Sequence, residues 1–373
     1  MISFWEQETF YKKQDIIIIG SGFVGLWSAI ALAKKNKNLA ITVVDKGVVP
    51  TGASTKNAGF SCFGSPTELI ADNALYGETN MLETVEKRYK GMLKINATFK
   101  ANIINYDACG GYECLQANDT NVVMGKIDAL NLLLKSITNS SNTFTFNNSL
   151  LQQFGLSNFN GLVQNKLEGS LHPAKLIIAL RTYAVQLGVQ FLNGINIKNY
   201  FANSEVVTIE AENNITFKTT QLLICTNGLA NKLLPHTNVT PNRGQVFITT
   251  PINGFNLKGC FHYNCGYYYF RNVGNRLLIG GARNTNFNEE QTDKFNTTEG
   301  VLTELINFTK THILNTQAFD IETAWSGIMG FTANKLPEVK SVEHNVFCAV
   351  GMNGIGVAIA PIIGEEIADL MAR

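Results

Sequence analysis

The chain has 373 residues, 45% of them hydrophobic, and a formal charge of +1. At roughly 150 residues per domain that length points to two compact regions, and the balanced charge with no basic block indicates neither nucleic acid nor an anionic membrane as a partner. Seven cysteines, at 62, 109, 114, 225, 260, 265 and 348, are odd in number and contain no CxxC pair, which argues against a disulfide framework or a zinc site.

The first fourteen residues include Glu6, Glu8, Lys12 and Lys13 and lack the apolar core of a signal peptide. No stretch approaches the eighteen or so unbroken apolar residues of a membrane span. A cytoplasmic protein is expected. The apolar run 16–19 predicts a strand, and Gly20, Gly22 and Gly25 follow it at once in the order of a GxGxxG turn. The first glycine turns the chain off the strand, the second lets backbone approach a pyrophosphate, and the third lets helix pack on strand. A helix over 23–33, a second strand over 40–44 and then Asp45 complete the pattern of a dinucleotide-binding unit. Asp45 is placed to accept from a ribose 2′-hydroxyl and would repel the extra phosphate of NADP, so FAD or NAD is the expected ligand type.

Residues 51–65 are dense in small polar residues, and Leu82, Val85, Tyr89, Met92 and Phe99 then recur at helical spacing. Turn-rich sequence over 138–149 precedes a helix that Pro173 starts and Gly188 stops, and a strand over 189–192. A short strand over 222–225 ends in the polar turn Thr226, Asn227, Gly228. Between 241 and 279, alternating apolar and aromatic residues predict an antiparallel sheet, and a helix follows over 301–313. The end repeats the opening pattern, with a strand over 346–350, the glycine-rich turn 351–356, and a helix reaching Met371 in which Pro361 either begins the regular part or kinks it. Two glycine-rich strand-to-helix turns suit a large, two-ended cofactor, because each helix N-terminus stabilises nearby negative charge by roughly 0.3–1 kcal/mol.

In this order the segments resemble the D-amino-acid oxidase family, the flavoenzymes that include glycine oxidase, sarcosine oxidase and gamma-glutamylputrescine oxidase. The resemblance spans nearly the whole chain. It rests on 20–25, on 52–60 (GASTKNAGF), on 172–176 (HPAKL), 225–228 (CTNG) and 243–245 (RGQ). It continues through 268–271 (YYFR), 278–282 (LIGGA), 325–337 and 351–356. It implies an α/β (α+β two-domain) protein in which a Rossmann-like FAD-binding domain (14–66, 151–235 and 321–373) carries an inserted antiparallel-sheet substrate-binding domain (67–150 and 236–320). It implies FAD as cofactor and oxidation of a C–N bond in a small-molecule amine or amino acid, with hydrolysis of the resulting imine and with oxygen or another electron acceptor. FAD contacts implied by the matching segments are Gly20, Gly22, Phe23, Val24 and Gly25, Asp45 and Lys46, and Ala53, Ser54, Thr55, Asn57, Ala58, Gly59 and Phe60. Further on they are Ile197, then Thr226, Asn227 and Gly228, then Gly327 and Met329, and finally Gly351, Met352, Asn353, Gly354, Ile355 and Gly356.

Three departures from the family bear on the substrate and the flavin. Met329 stands where glycine-oxidase-like members carry an arginine that clamps the substrate carboxylate, a charge-assisted contact worth about 1.5–3 kcal/mol. An amine or amide-linked polyamine is therefore favoured, unless Arg271 or Arg283 substitutes for the missing clamp. Residues 325–337 contain no cysteine, so the flavin is expected to be noncovalent. Leu278 stands where the sarcosine-oxidase branch has an oxygen-activating lysine, which leaves oxidase and dehydrogenase both open. Substrate-side candidates are Tyr268, Tyr269, Arg271, Trp325, Met329 and Phe331. His172, beside Pro173 at a helix start, reads as a capping residue, His236 and His262 show no partner pattern, and no general base or metal ligand is assigned. The rival readings are an NAD-dependent dehydrogenase and a noncatalytic flavin-binding protein of the same fold.

Overall fold

A computed structural model describes residues 1–372 apart from 213 and 316. The chain forms two compact units, Met1–Thr55, Ala174–Asn242 and Met329–Arg373 in the first, and Lys56–Pro173 and Arg243–Ile328 in the second. Residues 56–66, 151–173 and 321–328, expected with the FAD-binding part, therefore belong to the second unit, and 236–242, expected with the substrate-binding part, to the first. The cause is pairing, since Gly161–Asn165 is hydrogen-bonded to Gly111–Leu115 and Phe60–Ser61 to Gly169–Ser170.

In the first unit, five parallel strands run in the order Val346–Val350, Thr216–Ile224, Gln14–Ile19, Ile41–Asp45, Gln190–Asn193. Ile16 to Ile19 and the whole of Val346–Val350 are buried, because strands covered on both faces have no solvent side to make polar. Glu338–Glu343 closes one edge antiparallel, and the hairpin Ile197–Ala202 and Val207–Ala211 extends from the amino-terminal half of Thr216–Ile224. The helix Phe23–Lys35 ends with Lys34 and Lys35 at its negative end. Against it lies Gly356–Met371, so close that a Cβ on Gly364 would sit 2.7 Å from the backbone carbon of Trp27. That helix passes through Pro361 without ending, so its regular part starts before the proline.

The second unit is built on an eight-stranded sheet in the order Ile321–Phe331, Thr240–Thr249, Arg276–Gly281, Tyr268–Val273, Cys260–Tyr263, Gly111–Leu115, Gly161–Asn165, Thr145–Phe146. The end strands Ile321–Phe331 and Thr240–Thr249 cross the unit boundaries. From Thr240–Thr249 to Cys260–Tyr263 and from Gly111–Leu115 to Thr145–Phe146 neighbouring strands are antiparallel as expected, whereas Cys260–Tyr263 runs parallel to Gly111–Leu115. One face carries the aromatic core, with Tyr112, Phe247, Phe261, Tyr268 and Phe270 under the helix Glu299–Phe308. Helices Pro66–Tyr76, Glu78–Thr98 and Ala117–Thr138 pack on one another. Glu78–Thr98 buries Met81, Val85, Arg88, Met92 and Ile95, a stripe that shares only Val85 and Met92 with the expected one. A buried arginine holds that shift in place, since Arg88 donates to the Phe63 carbonyl and pairs with Glu68 at 3.3 Å.

Candidate functional site

In the first unit the glycine turns gather at the carboxyl ends of neighbouring parallel strands, where ligands of open α/β sheets bind. Gly20 donates to the Val44 carbonyl at 2.8 Å, and Cys225 donates to that of Ile19 at 2.9 Å. A Cβ on Gly25 would overlap the Gly20 carbonyl oxygen, so only glycine lets the helix start this close to its strand. Gly22, the N-cap of helix Phe23–Lys35, offers no side-chain cap; instead the Phe23 N–H donates to Ser54 Oγ at 3.0 Å from thirty-one residues away. Asp45 is buried, and three protein donors already engage it. Ser21 N–H and Oγ–H reach one oxygen at 2.8 and 2.7 Å, and Gly47 N–H reaches the other at 2.9 Å. A carboxylate has about four lone-pair sites, so one acceptor position remains for a ribose hydroxyl.

The carboxy-terminal turn is organised by Asn227, which follows the strand Thr216–Ile224. With φ at +45°, its Oδ1 accepts from Gly351 N–H at 3.0 Å and from Met352 N–H at 3.1 Å. Gly351 has φ +79°, and Asn353 and Gly354 are also left-handed, a run of reversed backbone that a side chain on Gly351 would strain. Asn353 ties the turn to residues 330–332: its N–H donates to the Gly330 carbonyl at 3.0 Å and its Oδ1 accepts from Thr332 N–H at 2.9 Å. Met329 Sδ and the Phe331 ring lie beside Gly354, within 4 Å of where a Cβ would stand. Ile197 is buried at the start of its strand, which Ile195 joins to Asp45 through an N–H to carbonyl bond of 3.0 Å. Turns 20–25, 225–228 and 351–356 thus occupy one edge of one sheet.

Two features of that edge fit a dinucleotide. The buried Thr226 Oγ beside Gly20 has no hydrogen-bond partner among the described residues, and such a group is costly unless a polar ligand satisfies it. The two helix N-termini that face the edge lack side-chain caps of their own.

The second unit presents two of the substrate-side candidates, Tyr269 and Trp325, on the face of its sheet opposite the aromatic core. There Val246, Ile248, Tyr269 and Leu278 pack with Ala58, Phe60 and Trp325. Tyr269 lies over Gly280, where a Cβ would come within 2.6 Å of its ring, and burial pushes its hydroxyl up to about 12. Tyr268 points the other way: its ring stacks on Phe308 at 4.7 Å and its hydroxyl donates to Glu304 at 2.9 Å. Neighbours on a strand face opposite sides, so these two tyrosines do not share a site. Trp325 Nε1 donates to the Lys56 carbonyl at 2.9 Å, which fixes the segment carrying Asn57, Ala58 and Gly59. Arg271 is buried with one nitrogen donating to both the Gly59 and Leu171 carbonyls at 3.1 Å, and burial holds its pKa below the usual arginine range. Arg283 lies over the rings of Tyr267 and Phe287, at 5.1 and 5.4 Å.

His262, left out of the sequence-based candidates, is on this same face, edge-on to Phe60 at 5.1 Å. Burial lowers its pKa to about 4, so it is a neutral imidazole, and its Nε2 has no partner among the described residues. Its register opposite Tyr269 is the signal that singles it out once the two strands are paired. Among the described residues, no helix is long and apolar enough to cross a membrane.

The family model described as FAD dependent oxidoreductase (DAO) matches residues 15–370. A probable oxidoreductase OrdL of Rhizobium meliloti is 23% identical over 96% of this chain and 83% of its own length. Among solved structures, L-proline dehydrogenase from P. horikoshii superposes with a TM-score of 0.77 at 17% identity, covering 97% of this chain and 94% of that one. Glycine oxidase from Bacillus cereus gives a TM-score of 0.75, also at 17% identity, over 96% and 95%.

Proposed function

Since the chain belongs to the DAO family of FAD-dependent oxidoreductases, an enzyme family whose cofactor is FAD, we propose that it oxidises the C–N bond of an amine. The flavin, held noncovalently, supplies the hydride acceptor when bound. The observation that carries this reading is the Asn227-locked turn 351–354 on the same sheet edge as Gly20, Gly22 and Gly25. It sets the start of helix Gly356–Met371 on the edge that also holds the start of helix Phe23–Lys35, so one uncapped helix N-terminus is available for a phosphate pair and another for the oxygens of a redox ring.

We assign cofactor contacts in the first unit to Gly20, Gly22, Phe23, Ser54, Asp45, Thr226 and the 351–356 turn. In the second unit the Tyr269 face is the substrate side. Its buried Tyr269 hydroxyl and neutral His262 orient an uncharged amine without adding net charge. Arg271 is committed to two backbone carbonyls and Met329 carries no charge, so neither clamps a carboxylate. With Arg283 held over the Tyr267 and Phe287 rings, that favours an amine or amide-linked polyamine over a free α-amino acid, although similar structures include a proline dehydrogenase and glycine oxidases.

Anaerobic mixing of the FAD-loaded protein with a panel of amines, polyamines and amino acids tests the assignment. Loss of the visible flavin band with an amine supports it, and readmitting oxygen then distinguishes an oxidase from a dehydrogenase. A flavin that stays oxidised with every C–N substrate refutes it, and bleaching by amino acids alone refutes the substrate class.

A further inference from the structure

Among the seven cysteines, Cys109 and Cys260 are brought together in the second unit. Cys109 is partly exposed, on the loop before Gly111–Leu115, whereas Cys260 is buried at the start of its strand. Cys260 N–H donates to the Gly110 carbonyl at 3.0 Å, which sets the strand beside the loop. The two thiols meet successive residues of one segment, Cys109 Sγ lying 3.6 Å from Ser170 Oγ and Cys260 Sγ 3.3 Å from the Gly169 carbonyl. Each thiol also acts on the protonation of the other. Arg271 is directly opposite Cys260 in the strand pair, so a guanidinium adjoins the sulfurs.

We propose that Cys109 and Cys260 form a dithiol that reacts with a hydroperoxide, Cys109 attacking and Cys260 resolving. The chemistry divides along the difference in burial. The neighbouring Cys260 thiol brings the Cys109 thiol down to about 7, with Ser170 and Arg271 acting in the same direction against burial and Asp107. Burial pushes the Cys260 thiol up, so it waits as the protonated partner. The Cys109 thiolate attacks one peroxide oxygen; an S–O bond forms, the O–O bond breaks, and the departing oxygen takes a proton from solvent. Cys260 sulfur then attacks Cys109 sulfur; the S–S bond forms, the S–O bond breaks, and the hydroxide leaves with the Cys260 proton as water. Two thiols lose two electrons and two protons, and the peroxide is reduced to water and an alcohol, or to two waters. Oxidation removes the negative charge that Cys109 can place near Arg271, whose donation to the Gly59 carbonyl holds the 57–60 segment.

The test uses the FAD-loaded, full-length protein and hydrogen peroxide in slight excess, followed by thiol titration under denaturing conditions and non-reducing peptide mapping. The expected result is loss of two thiols, a linked pair of peptides containing residues 109 and 260, and full reversal by dithiothreitol. Cys109→Ser keeps its remaining thiols at the same dose. Cys260→Ala, or Cys260→Ser if the alanine variant does not fold, converts Cys109 to a sulfenic acid trapped by dimedone. A folded wild-type protein that keeps all its thiols, or that cross-links through exposed Cys265 instead, overturns the proposal, and so does unchanged thiol loss in Cys109→Ser. None of these readouts depends on amine turnover, so they stand apart from the proposed reaction.

Discussion

Replacing Asn227 tests the carboxy-terminal turn most directly. Its side-chain oxygen is the acceptor for two backbone N–H groups, at 3.0 and 3.1 Å, and its own backbone is left-handed at φ +45°. Asn227→Ala removes both acceptors. An N–H left without a partner costs about 1–3 kcal/mol, so the pair amounts to about 2–6 kcal/mol. The left-handed backbone adds about 1–2 kcal/mol for alanine. Asn227→Gly carries only the first of these costs, and Asn227→Asp keeps both acceptors. Because FAD is expected to use the same turn, at least about 2 kcal/mol should appear in its affinity, which is roughly thirtyfold. The assay is titration of apoprotein with FAD, followed by quenching of flavin fluorescence, alongside urea unfolding. The expected order of affinity is wild type and Asn227→Asp, then Asn227→Gly, then Asn227→Ala. If Asn227→Ala binds FAD within threefold of wild type and unfolds at the same urea concentration, Asn227 does not organise the turn.

Two further outcomes follow from buried charge in the second unit. Glu290 is fully buried, pairs with Arg243 through bonds of 2.7 and 3.0 Å, and accepts from Gln245 at 2.9 Å. Glu290→Gln should therefore cost about 3–5 kcal/mol in denaturant unfolding, and a loss under about 1 kcal/mol would show that the buried pair does not hold these segments together. Burial also raises Glu113 to about 7 and Glu168 to about 8, from an ordinary 4.5. The folded protein then binds protons more tightly than the unfolded chain between pH 4.5 and 8. Stability is therefore greatest near the acid end of that window and falls as pH rises through it, by several kcal/mol in all. Thermal unfolding followed from pH 5 to 8.5 should show this fall and a flatter curve for Glu168→Gln; a midpoint that climbs over that range contradicts the assignment.

What could be read without coordinates was whatever a local physical rule dictates. Ile16 to Ile19 and Val346–Val350 declared themselves because strands buried on both faces are apolar throughout, and the glycines after each strand have backbone reasons for their spacing. The helix Ala117–Thr138 escaped notice because Asn118, Asn121, Gly125 and Asn131 are weak helix formers. Packing overrides that weakness, with the Asn131 side chain joined to both the N–H and the carbonyl of Phe144. Pairings across long stretches left no local signal: Ser54 on Phe23, Asn227 on Gly351, Cys109 beside Cys260. Glu113 and Glu168 carry no local signal of burial, yet each is buried and satisfied by nearby donors, Ser65 and Thr67 for one and Phe63 N–H for the other. The opposite aim of Tyr268 and Tyr269 was available in principle, since alternation along a strand forbids adjacent residues from sharing a face.

The strand Gln14–Ile19 has Ile41–Asp45 on one side and Thr216–Ile224 on the other. On the ribosome, the first neighbour emerges within seconds, while the second arrives only after roughly two hundred more residues have been added. For that interval a run of four isoleucines has one bare hydrogen-bonding edge, a natural template for misassociation between nascent chains. Until the middle of the chain has been translated that edge has no Thr216–Ile224 to pair with, and the yield of folded protein is expected to rise with chaperone supply.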